Sequence, residues 1–104
     1  MAKVRKQSPI KWEGRDTDAL IKAFLAMQGS GEMKAFLRDL LTESEIVEFA
    51  KRFRAARSIA KSIHYDAIIK DTGLSSRTIA RIKKWYEHGK GGYRLAIRRG
   101  KSQG

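Results

Sequence analysis

At 104 residues with no cysteine, the chain has the length of one domain and neither a disulfide framework nor a thiolate metal site. No apolar run reaches the ~18 residues of a membrane span, and Met1–Lys6 lacks the apolar stretch of a signal peptide, so a cytoplasmic setting is expected. Twenty-three Lys and Arg against eleven Asp and Glu give a net charge of +12, and Lys51–Gly104 holds fifteen of those bases against three acids. One basic half directed at a polyanion accounts for that asymmetry better than solubility does.

Residues 1–15 carry five bases, the only proline (Pro9) and Trp12, with no helical or strand period, and read as a flexible basic arm. Asp16 or Thr17 is positioned to cap a first helix reaching about Gln28, apolar from Ala19 to Met27 except at Lys22. A helix apolar almost all round must be covered on several sides. Gly29-Ser30-Gly31 breaks it. A second helix over about Glu32–Leu41 places Met33, Phe36, Leu37, Leu40 and Leu41 on one stripe. Two such helices are hard to satisfy in a small monomer, which predicts an intimate dimer.

Thr42-x-x-Glu45 has the spacing of a capping box. It opens a third helix expected to run to about Ile63, with Ile46, Phe49, Ala50, Phe53, Ala56 and Ala60 inward. Lys51, Arg54, Arg57 and Lys61 form a basic face on that helix without acids at i+4, and phosphate contact is expected of Arg54, Arg57 and Lys61.

His64–Tyr86 has the pattern of a helix-turn-helix. Gly73 stands where a first helix would end in the left-handed conformation, Leu74 can plug the angle, and Ser75 is an N-cap. Ile79, Ile82 and Tyr86 make an inner stripe at i, i+3, i+7, facing Ile68 and Ile69. That leaves Ser76, Arg77, Ala80, Arg81, Lys83 and Lys84 outward, with no acid between Asp71 and Glu87. Recognition helices put such residues on base edges in the major groove, where arginine bonds guanine through two acceptors. Ser75, Ser76, Arg77, Ala80 and Arg81 are the candidate base contacts. Lys83 and Lys84 are candidate phosphate contacts. Ile69 departs from the small residue usual four positions before the turn glycine.

From about Asp18 to Arg99 the chain resembles the Trp repressor family, in particular its branch of smaller Trp-repressor-like regulators. The resemblance rests on Leu40-Leu41-Thr42, Lys51-Arg52-Phe53-Arg54, Thr72–Arg81, Tyr86–Tyr93 and the basic stretch Arg94–Arg99. It implies an all-α fold of about six helices in an intertwined homodimer on a palindromic double-stranded DNA operator. Residues 16–99 would form that helical domain, and residues 100–104 a disordered tail. It also implies a place for a corepressor, because Thr42, Arg52 and Arg81 match polar residues of the family's tryptophan pocket. The small positions beyond the second arginine are Ile82 and Trp85 here. Side chains that fill a pocket leave no room for a ligand, so the pocket reads as vestigial, with no cofactor and no L-tryptophan requirement.

An enzyme is not expected. His64 and His88 are the only histidines and lack ligand spacing, and Gly89-Lys-Gly-Gly92 is a connector rather than a phosphate cradle. The other reading that fits the charge is a sequence-tolerant nucleoid or RNA-binding protein.

Overall fold

The computed structural model describes residues 10–103, which are all-helical: α1 (Arg15–Ala26), α2 (Ser30–Leu40), α3 (Glu43–Ala60), α4 (Tyr65–Thr72), α5 (Ser76–His88) and α6 (Gly92–Gln103). They fall into two compact units, divided between Leu40 and Leu41. No helix among the described residues is long and apolar enough to cross a membrane.

In the first unit, α1 starts earlier than expected. The Gly14 amide donates to the Lys11 carbonyl at 3.0 Å, and that turn leads into the helix. Gly14 is the N-cap and supplies no side chain. Thr17, one of the two expected caps, donates its hydroxyl back to the Lys11 carbonyl at 2.6 Å. Residues 1–9 of the expected arm lie outside the described residues, and the rest is this turn and the start of α1. Gly29, at φ 96°, separates α1 from α2, and the Gln28 amide donates to Glu32 at 2.8 Å. Phe24 meets Phe36 edge to face, with ring centroids 5.2 Å apart. No residue of either helix is buried, and Leu25 remains 79% exposed.

The second unit holds the core. Thr42 and Glu45 form the expected reciprocal capping box at the start of α3. The helix ends at Ala60, short of the expected Ile63, because the chain turns left-handed at Ser62 (φ 62°). Ser62 N donates to Ile59 O and Ile63 N to Ser58 O, the paired bonds of a Schellman stop.

The face α3 turns inward also differs from expectation. Ala56 is fully buried as expected, but Ala55 joins it there and Ile59 packs beside them, whereas Phe49, Ala50 and Phe53 are exposed. The helix carries two apolar stripes roughly a quarter-turn apart. The one with small side chains faces inward, which lets α4 and α5 approach closely. Ile68 from α4, Leu74 from the turn, and Ile79 and Ile82 from α5 complete the core. Ile69, Tyr65, Tyr93 and Ile97 pack around it, so a large residue before the turn is accommodated at the core's margin. α6 lies against α3 and α5 and continues to Gln103, past the expected limit at Arg99.

Candidate nucleic-acid interface

The arrangement is set by how α4 stops and α5 starts. Gly73 has φ 76°, a left-handed conformation that costs an L side chain about 1 kcal/mol, and its amide donates to Ile69 O at 2.8 Å. Buried Thr72 spans the turn from inside, its hydroxyl donating to Ile68 O at 2.8 Å and accepting from Leu74 N at 3.2 Å. Ser75 caps α5 by accepting from Thr78 N at 3.1 Å, and its hydroxyl also lies 3.1 Å from the Thr78 hydroxyl. The turn is satisfied from within, so its outer surface is free for other contacts.

Ile79 and Ile82 anchor α5 at 0% and 1% exposure. The opposite face presents Arg77, Ala80, Arg81 and Lys84, all exposed, with Ser76 and Lys83 to one side. Arg77, Arg81 and Lys84 have no carboxylate partner among the described residues. Their charge is uncompensated locally, and the helix beneath them is fixed by the core. Of the expected base contacts, four are open and Ser75 is occupied by its cap. Lys83 is exposed but lies 5.6 Å over the Tyr65 ring, a contact between α5 and α4 that the sequence did not reveal.

The α3 cations separate into two kinds. Arg57 and Lys61 are exposed and line one side of a cleft of about 530 Å³, with Phe53 and Ala60 of α3 and Ala96, Ile97 and Gly100 of α6. Arg54, expected on a phosphate, is instead paired with Asp71: its Nε lies 3.0 Å from Oδ2, and its Nη2 donates to the Asp71 carbonyl. Seventeen residues separate the two, so no local period announces the pair.

Each residue expected of a vestigial pocket has its own surroundings within the protomer. Thr42 is used in its cap. Arg52 bonds Glu48 at 3.3 Å and lies 5.7 Å over Phe49. It also acts on Tyr93, whose phenol is pushed up from its usual value by burial, with Arg52 opposing the rise. Arg81 is outward on α5, and Ile82 is in the core. Trp85, expected to fill the ligand's place, is 47% exposed, because the helix turns it away from the stripe that Ile79 and Ile82 bury.

Comparisons with known proteins agree with this architecture. The chain is 33% identical over 89 residues to the uncharacterized protein YerC of Bacillus subtilis (strain 168), covering 86% of each chain. It superposes on a TrpR-like protein from Eubacterium eligens with a TM-score of 0.79 and 29% identity, covering 86% of this chain and 93% of that one. A protein of Staphylococcus aureus assigned as a Trp repressor gives a TM-score of 0.81 at 28% identity, over 89% and 96% of the two chains. The sequence profile of the Trp repressor protein family matches residues 15–101. With six helices among its described residues, a capped α5 and that match over most of its length, the chain belongs to the Trp repressor family, a family of DNA-binding regulators.

Proposed function

We propose that the protein is a sequence-specific DNA-binding repressor that acts as a homodimer on a palindromic operator and does not require L-tryptophan. The observation that carries the reading is the outer face of α5, where Arg77, Ala80, Arg81 and Lys84 project without acids from a helix locked by Ile79 and Ile82. Arg77 and Arg81 read bases, with Ser76 and Ala80 close enough to add polar and methyl contacts. Lys83, Lys84, Arg57 and Lys61 neutralise phosphates.

The dimer reading is supported by apolar surface that the protomer leaves uncovered. Leu20, Ile21 and Leu25 of α1 are exposed, as are Leu40 of α2 and Val47, Phe49 and Phe53 of α3. A second copy is the partner suited to such surface, and twofold symmetry would place two α5 helices on two half-sites. Independence from tryptophan rests on Ile82, whose side chain is spent in the core. Half-exposed Trp85 lends it no support within the protomer.

Selection of bound duplexes from a randomised pool tests the function. A regulator enriches one symmetric motif and binds it about 10³-fold or more tighter than scrambled DNA at physiological salt. A sequence-tolerant nucleoid or RNA-binding protein enriches nothing.

A further inference from the structure

Arg54 precedes Ala55 and Ala56, both fully buried, so its backbone is held by the core. Its side chain leaves α3 and ends on the last turn of α4, where it makes two contacts with one residue, Asp71. One is to the carboxylate. The other is to the Asp71 carbonyl, one of the final carbonyls of α4 that have no amide partner inside the helix. A guanidinium there also complements the negative end of the helix dipole. Two residues further on, Gly73 makes the left-handed turn, and Ser75 caps α5. A single side chain therefore ties α3 to the hinge from which α5 departs.

We propose that Arg54 is a positioning residue that sets the tilt of α5 through Asp71, and that it does not contact phosphate. The assignment rests on the DNA-binding reading above. The pair is half exposed on both sides, and such pairs add little to global stability. Its effect is geometric: only the planar fork of arginine reaches carboxylate and carbonyl together, whereas lysine offers one point charge. The pair also neutralises Asp71, the last acid before the basic face of α5.

The test uses the full chain, with a duplex that the wild type selects from a randomised pool and a scrambled duplex of equal composition. Arg54→Lys keeps the charge and breaks the fork, and Asp71→Asn removes the partner. Each is expected to weaken binding to the selected duplex by about fivefold, with the double variant no weaker than either single one, because contacting residues are not additive. The scrambled duplex and the slope of log affinity against log salt should be unchanged, because no phosphate contact is lost. If Arg54→Lys binds both duplexes as the wild type does while Arg54→Gln weakens both and flattens the salt slope, Arg54 is a phosphate contact and the proposal is overturned. Amide hydrogen exchange gives a readout without DNA. Both single variants are expected to exchange faster at Gly73 and Leu74, with the α5 core unchanged. Exchange at the wild-type rate there also overturns the proposal. Failure of the wild type to select any duplex removes the DNA-binding reading instead, and the exchange result still decides the role of Arg54.

Discussion

Arg94 of α6 lays its guanidinium 4.4 Å from the centre of the Tyr86 ring and donates its Nε to the Tyr86 carbonyl at 2.9 Å. One side chain thus stacks on the inner edge of α5 and also satisfies a carbonyl in its last turn. The cation–π contact contributes about 0.5–1 kcal/mol at such a site and the hydrogen bond about as much again. Arg94→Met should therefore lower the unfolding free energy by about 1–2 kcal/mol in urea denaturation. Preference among DNA sequences should not change, because Arg94 is remote from the outer face of α5. A loss of preference without a loss of stability would place Arg94 on the DNA.

Ser62 takes a left-handed conformation at φ 62° and ends α3. Glycine adopts that conformation without the Cβ strain, so Ser62→Gly is expected to raise stability by roughly 0.5–1 kcal/mol. The urea midpoint measures it. At Gly89 the sign reverses, since an added Cβ would lie 2.4 Å from the Trp85 carbonyl oxygen. Gly89→Ala should destabilise the junction of α5 and α6.

These two positions show what could be read from sequence and what could not. Thr42 and Glu45, or Gly73 and Ser75, act over three or fewer residues, and their chemistry is visible in the residue types. Ser62 does a glycine's work without being glycine, so the end of α3 was placed three residues late. Ala55, buried beside the expected Ala56, was harder still. Size alone suggests Phe49 and Phe53 for the core, but close approach of α4 and α5 calls for small residues, and only the packing of three helices decides between the stripes. The outer face of α5 was legible because its inner stripe, Ile79, Ile82 and Tyr86, follows the helical period. The Arg54–Asp71 pair was not, because it joins two helices across a tertiary contact.

Ile79 and Ile82 are fully buried and fix α5. Ile79→Ala and Ile82→Ala should each cost about 2–5 kcal/mol in urea unfolding, the usual price of a cavity at such a site. Calorimetry of the wild type with millimolar L-tryptophan, beside DNA binding with and without it, examines the corepressor question. No saturable heat and no change in affinity are expected. Saturable uptake coupled to a tenfold gain in DNA affinity would show that a pocket exists despite Ile82.

Leu25 is 79% exposed on a helix with no buried residue. Light scattering at micromolar concentration should give about twice the chain mass, as for a closed twofold dimer. Leu25→Glu should reduce that mass or demand higher concentrations to reach it. A wild-type monomer would remove both the dimer and the palindromic operator.

Arg77 and Arg81 stand outward on α5 beside Lys84, and the assignment of bases to the arginines and phosphate to the lysine is the central claim. Its most direct test is the affinity of Arg77→Ala, Arg81→Ala and Lys84→Ala for a selected duplex and its scrambled counterpart across a salt series. The arginine variants should lose about 1–3 kcal/mol on the selected duplex and little on the scrambled one. Lys84→Ala should weaken both alike and reduce the salt slope by about one. Equal weakening of both duplexes by Arg77→Ala and Arg81→Ala would contradict the claim and leave α5 a phosphate-binding helix with no part in reading sequence.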